Sequence, residues 1–236
     1  MLLEVQALDT AYGASQVLFG FSMQINEGEA VSLLGRNGMG KTTTVRSIMG
    51  LTRAKGGTVS FRGRRIEREA PDRIARMGIA VVPEGRQIFP NLTVLENLVA
   101  FADNRSQRAE PWTPGGVFEL FPNLKARADN MGNQLSGGEQ RQLEIAMTLA
   151  TDPQVLLLDE PLAGMGTAEA ERMVELLLRL KKEHAMMLVE HDMDAVFALA
   201  DQLTVMVNGQ VIASGTPAQV RADAGVQAAY LGEEHV

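Results

Sequence analysis

Two kinds of hydrophobic pattern alternate along the chain. Ala30–Leu34, Ile79–Val82, Val155–Leu158 and Met186–Val189 are nearly unbroken apolar runs of four or five residues, the length of buried strands. Between them lie stretches in which apolar residues return every three or four positions, clearest over Ala168–Lys182, and these predict helix. Further strands are expected at Leu2–Ala7, Val17–Ile25 and Thr58–Phe61, with Asn26-Glu27-Gly28 as a turn. Strands alternating with helices predict an α/β fold.

Punctuating residues place the ends. A helix begins near Lys41 and stops at Gly50, since glycine readily takes the left-handed conformation that ends a helix. Thr93-Val94-Leu95-Glu96 has the form of a capping box and opens a helix through about Phe101. Asn104–Gly116 is polar and carries two prolines, so it is expected to be a loop. Shorter helical patterns then run to about Ala150 without a strand. Residues 84–150 are therefore expected to be a helical lobe inserted into a single domain spanning 1–236. Asn208-Gly209 should join Leu203–Val207 to Gln210–Ala213 as a hairpin. Thr216-Pro217 starts a terminal helix, with a cap followed by proline in the first turn.

Composition narrows the classes. Hydrophobic residues at 45% against 22% charged describe a globular chain with ample core material, and the thirteen methionines read mostly as flexible core filler. With no cysteine, disulfides and thiolate metal sites are excluded. The first ten residues lack the basic and apolar regions of a signal peptide. The longest apolar runs are too short to cross a bilayer, so any membrane must be reached through a partner. A net charge of −7 argues against nucleic-acid binding, and the cluster Arg62, Arg64, Arg65 and Arg68 reads as a solvated face.

Candidate chemistry begins at Gly35-Arg36-Asn37-Gly38-Met39-Gly40-Lys41-Thr42, which matches the P-loop pattern between a strand and a helix. Small residues let successive backbone N–H groups curl around phosphates, and the helix N-terminus adds partial positive charge. Lys41 can reach the β- and γ-phosphates, and the hydroxyl of Thr42, followed by Thr43, can ligate Mg²⁺. The strand Val155–Leu158 ends in Asp159 and Glu160. In a nucleotide site the first would hold Mg²⁺, and the second could polarise an attacking water as general base. Leu135-Ser136-Gly137-Gly138-Glu139-Gln140 reads as an anion-binding helix start. A helix cap explains Ser136 but not the paired glycines.

At these residues the sequence resembles the ATP-binding cassette family, of which LSGGQ-like segments are the signature, and the resemblance covers essentially the whole chain. It implies a P-loop NTPase core with an N-terminal antiparallel β subdomain and an inserted α-helical subdomain carrying the signature. Tyr12 matches the aromatic position that stacks on adenine, and His191 matches the switch histidine that contacts the γ-phosphate. The resemblance implies that two cassettes face head to tail, so that Ser136, Gly137 and Gly138 act on ATP bound by the partner while Glu160 serves as general base. Two positions depart from the common pattern. Glu84, with Gln87 close by as the alternative, stands where most members carry glutamine as a ligand of Mg²⁺ or an orienter of water, and Gly166 stands where many carry aspartate.

Within the family, LGRNGMGKTT at 34–43, VPEGRQIFPNLTV at 82–94 and DEPLAGMG at 159–166 look like the LivF-type ATPases of branched-chain amino-acid importers, in which glutamate at position 84 is typical. The resemblance implies a second ATPase subunit, alike or different, two membrane permeases, a periplasmic solute-binding protein and a place on the cytoplasmic face of a bacterial inner membrane. The surface around Ile88, Phe89, Pro90 and Leu92 is a candidate permease dock, or else packs within the helical lobe. Importers of urea and short-chain amides use very similar ATPases. A soluble ABC ATPase of repair or translation and a small-molecule P-loop kinase are the rival classes. The second leaves the signature without a role.

Overall fold

The computed structural model describes residues 1–105, 109 and 111–231. Its first half runs β1 (Leu3–Tyr12), β2 (Ser15–Ile25), β3 (Ala30–Leu34), α1 (Lys41–Ile48), β4 (Ala54–Phe61), β5 (Arg64–Arg65), α2 (Pro71–Arg76), β6 (Ile79–Val82) and α3 (Val94–Phe101). There follow α4 (Pro114–Leu120), α5 (Pro122–Lys125), α6 (Gly137–Leu149), β7 (Val155–Asp159), α7 (Thr167–Leu180), β8 (Ala185–Val189), α8 (Met193–Leu199), β9 (Gln202–Val207), β10 (Gln210–Gly215), α9 (Pro217–Ala222) and α10 (Ala224–Val226).

The strands build two sheets, one antiparallel in the order β2-β1-β4-β5 and one of six strands in the order β10-β9-β3-β8-β7-β6. In the larger sheet β6, β7, β8, β3 and β9 are mutually parallel, and β10 closes the edge as the antiparallel arm of the Asn208-Gly209 hairpin. β3, β7 and β8 are buried at every position, which is why their sequences are apolar without alternation. Side chains of successive residues still leave opposite faces. Leu156, Leu158, Met186 and Leu188 join a core with α6 and α7, whereas Val155, Leu157, Met187 and Val189 join one with β1, β2 and α1. A parallel sheet covered on both faces leaves the carboxyl ends of its strands as the open crevice. Gly35, Asp159-Glu160 and Glu190-His191 all follow such ends.

Several boundaries differ from the expected ones for identifiable reasons. β1 continues past Ala7 to Tyr12 because Ala7, at φ 46, forms an irregularity where the pairing register shifts. Gly57 faces it at φ 80, and a Cβ there would collide with the Ala7 carbonyl. The Gly56-Gly57 pair thus belongs to β4 and does not precede it. The expected loop over Asn104–Gly116 ends early, since Thr113 accepts from the N–H of Gly116 at 3.1 Å and Pro114 opens α4. Positions 106–108 and 110 of that loop lie outside the described residues. The terminal helix after Thr216 is interrupted at Asp223, whose side chain caps the short α10. The end of the expected 1–236 domain, 232–236, also lies outside the described residues.

Between β6 and β7 the described residues form helices and turns, with no named strand. Arg64 and Arg65 of the basic cluster lie in the edge strand β5 and pair with Glu69 at 2.8 Å and Glu67 at 2.5 Å. Among the described residues no helix is long and apolar enough to cross a membrane.

Candidate active site

The loop from β3 into α1 turns twice through left-handed backbone, at Gly38 (φ 82) and Gly40 (φ 102). Gly40 is also pressed from outside, where a Cβ would lie 2.9 Å from a methyl of Leu18, so only glycine fits that position. The loop wraps the Lys41 side chain. Its Nζ donates to the carbonyls of Gly35 at 2.6 Å and Arg36 at 3.2 Å. The ammonium is thus buried and held at the mouth of a ring of backbone amides, an arrangement suited to an anion.

Asn37, Gly38, Gly40, Lys41, Thr42 and Thr43 share one cavity of about 500 Å³ with Val17, Glu84 and Glu160. Asp159 lies just beneath, accepting from the Thr42 hydroxyl at 3.3 Å. Burial pushes the Asp159 carboxyl above its ordinary range, and the charges of Glu160 and Glu84 add to the rise. A hydroxyl beside a buried carboxylate, with two more carboxylates near, is an all-oxygen donor set of the kind a hard cation takes. Among the described residues no three acidic or histidine side chains form a metal cluster by themselves.

Glu160 stands at φ 51, a conformation costly for a residue with a side chain. Its N–H donates to Val189 at 2.9 Å, and its carbonyl accepts from Arg141 at 3.0 Å. These two bonds hold the strained turn and aim the carboxylate back into the cavity. Arg141 was not legible as a site residue. From α6 its buried guanidinium donates to the carbonyls of Pro83 at 2.6 Å, Gly85 at 3.0 Å and Asp159 at 2.6 Å, and to Glu144 at 2.6 Å. Glu144 in turn accepts from the N–H of Gln87 at 2.9 Å. Burial lifts the Glu144 carboxyl above its usual range against the pull of that N–H and of Arg141. The helix opened by Ser136 is therefore tied to both acidic loops. Sequence signals only the ion pair, since Arg141 and Glu144 are opposite charges at i, i+3 in a helix whose later positions are nearly all apolar; the bonds to the acidic loops leave no local trace.

Tyr12, His191 and the Ser136 turn do not line this cavity. Tyr12 is 47% exposed, with its hydroxyl 3.3 Å from that of Thr52. Burial alone would raise its phenol, but bonds to Thr52 and Thr43 and the Arg46 charge bring it below the ordinary value. The His191 side chain is 65% exposed and 3.7 Å from Glu190. It borders a neighbouring cavity of about 790 Å³ with Leu162, Gly164 and Met165. Glu190, buried, accepts from the N–H of Leu162 at 2.8 Å and of His191 at 3.1 Å, joining the two loops. Ser136 is exposed and caps α6, accepting from the N–H of Glu139 at 3.3 Å. The adjoining glycines leave room for the side chains of Arg86 and Glu169, which a Cβ on Gly137 or Gly138 would displace.

A family described as "ABC transporter" matches residues 18–163, and one described as "Branched-chain amino acid ATP-binding cassette transporter" matches residues 210–236. The high-affinity branched-chain amino acid transport ATP-binding protein BraG of Pseudomonas aeruginosa is 35% identical over 98% of this chain and 100% of its own. The lipopolysaccharide export system ATP-binding protein LptB of Haemophilus influenzae is 34% identical over 99% of this chain and 98% of its own. Among solved structures, the ADP conformation of MJ1267, an ATP-binding cassette of an ABC transporter, superposes with a TM-score of 0.84 at 30% identity, covering 98% of this chain and 99% of that one.

Proposed function

Because the chain belongs to the ATP-binding cassette transporter family, whose members hydrolyse ATP to power transport, we propose that it is the motor of a branched-chain amino-acid importer. One observation carries the reading: Lys41, Thr42, Glu84 and Glu160 converge on one cavity above Asp159, in a chain whose two matched families are both transporter ATPases.

In this proposal Lys41 exchanges its two carbonyl partners for β- and γ-phosphate oxygens, and the amides of Gly38 to Thr43 hold the rest of the chain of phosphates. Tyr12 lies under the adenine. Thr42 and Asp159, with Glu84, would hold Mg²⁺, which neutralises phosphate charge. Glu160 takes the proton of the attacking water, and His191 orients that water from the γ-phosphate side. A second cassette, this chain's copy or a related one, lends its Ser136–Gly138 turn to close the site. Residues 84–150 act as the inserted lobe that presents this turn.

Permease subunits hold the pair on the cytoplasmic face of the inner membrane, and a periplasmic binding protein delivers the solute. The dock is the apolar surface of α3. Asn97, buried, accepts from the N–H of Phe89 at 2.8 Å and donates to three carbonyls of residues 89–93. It pins the loop that leads into α3, and Phe89, Leu95, Val99 and Phe101 are exposed. Of the segment expected to dock, Phe89 is exposed, whereas Ile88 packs partly into the core.

The test is ATP turnover by the chain purified with its permeases in lipid discs. Stimulation by a binding protein loaded with leucine, isoleucine or valine supports importer function. Stimulation only by urea or amides, or by lipopolysaccharide as the 34% identical exporter ATPase would have it, overturns it.

A further inference from the structure

The tripeptide Glu84-Gly85-Arg86 joins two places that the proposed mechanism keeps apart. Glu84 lines the phosphate cavity of its own chain. Gly85 then turns through left-handed backbone at φ 95, with open space around it. Arg86 consequently lies against the Ser136–Gly138 turn. A Cβ built on Gly137 would fall 2.5 Å from Nη2, 2.7 Å from Cζ and 2.8 Å from Nη1 of Arg86. Three guanidinium atoms at nearly equal distance place the plane flat over the glycine. A Cβ at Gly164, in the loop after Glu160, would stand 3.7 Å from the same Nη2.

This seat is electrostatically odd. Arg86 is exposed, and it rests on the first turn of a 13-residue helix, the end that carries partial positive charge. The neighbouring arginines are paired, Arg127 with Glu139 at 2.7 Å and Arg141 with Glu144 at 2.6 Å. Among the described residues Arg86 forms neither a hydrogen bond nor an ion pair. The two carboxylates beside the turn are engaged elsewhere. Glu139 also accepts from the N–H of Ser136 at 2.8 Å, and Glu169, over Gly138, accepts from the N–H of Gly166 at 3.4 Å. A cation held on the positive end of a helix is stabilised once an anion is shared between them. A phosphate fits, because guanidinium offers two parallel N–H donors and the turn offers its amides.

We infer that Arg86 is a ligand of the terminal phosphate of the ATP held by the second cassette. The assignment rests on the head-to-tail reading above and deepens it. One tripeptide then serves both sites, Glu84 at its own and Arg86 at the other, so departure of a phosphate from one is transmitted through Gly85 to the other.

Sedimentation of the full chain carrying Glu160→Gln, with Mg²⁺ and ATP, measures pairing. Adding Arg86→Ala should weaken it by about tenfold or more, the loss of a charge-assisted phosphate contact, and Arg86→Lys should weaken it less. Binding of a fluorescent ATP analogue by the unpaired chain should stay within about twofold, and the melting temperature should not move. Pairing by Arg86→Ala equal to its parent overturns the assignment alone. A fall in single-chain nucleotide affinity as large as the fall in pairing also overturns it, since Arg86 would then serve its own chain's site. A Glu160→Gln parent that, with Mg²⁺ and ATP, pairs neither with its own copy nor with the second ATPase of its transporter defeats the two-cassette reading, and the assignment with it.

Discussion

Glu160 and Lys41 are both residues whose local conformation makes sense only with a ligand in view. The left-handed backbone of Glu160 is retained at a cost of order 1–3 kcal/mol, and the same turn puts the carboxylate on the cavity. Glu160→Gln keeps shape and removes the proposed base, so turnover should fall roughly 10²- to 10⁴-fold while nucleotide affinity holds; steady-state kinetics beside calorimetry separates the two. Near-normal hydrolysis would remove Glu160 from the role of base. Lys41→Ala deletes the buried ammonium, and calorimetry should show affinity for ATP weaker by about 2 kcal/mol, roughly thirtyfold. Unchanged affinity would count against the cradle. Asp159 adds a pH dependence. Its carboxyl, raised by burial and by its acidic neighbours, keeps its proton to higher pH folded than unfolded. Without ligand it therefore favours the native state on the acid side and loses that contribution as pH rises through the folded value. In the proposed metal role magnesium nucleotide needs the ionised form, so its stabilising shift in melting temperature should be larger at mildly alkaline than at mildly acidic pH. The opposite order would contradict the metal role.

The elements that place these residues were largely legible, and the misses have physical causes. β3, β7 and β8 announced themselves because a strand buried on both faces has little choice but an apolar run, and the phosphate loop because two glycines must turn left-handed beside Lys41. Strand ends at Ala7 and Gly57 were hidden, since a bulge breaks the alternation that pattern reading relies on. α2, six residues long, and α8, seven, are too short to show a period. Arg141 was missed for a different reason: its partners are main-chain carbonyls of segments 18 to 58 positions away, which no local pattern records. Its removal carries a clear expectation. Arg141→Met leaves Glu144 buried without its cation and several carbonyls without a donor, costing about 3–5 kcal/mol. Chemical denaturation should show this, and Arg141→Met with Glu144→Met should recover part of it. An additive double variant would mean the pair is not coupled.

At the scale of the whole molecule, one sheet brings the Gly35–Thr42 loop, the acidic pair and the Glu190-His191 loop to its carboxyl ends, with His191 on a neighbouring cavity and the Ser136 turn exposed outside both. Val99 is exposed on α3 and does not line the cavity that holds Lys41 and Glu160, so Val99→Asp should leave the isolated chain's ATP turnover within about twofold of its parent, as surface changes usually do. Solute uptake by the assembled transporter should be lost. Uptake at the parental rate would place the dock elsewhere. The division of one site between two subunits is the claim from which the rest follows, and a structure of the Glu160→Gln chain with Mg²⁺ and ATP tests it most directly. The account predicts triphosphate cradled by Gly35–Thr42 of one subunit with Ser136 and Gly138 of the other within hydrogen-bond reach of its last phosphate. Triphosphate enclosed by one subunit alone, with the Ser136 turn facing solvent, would contradict it.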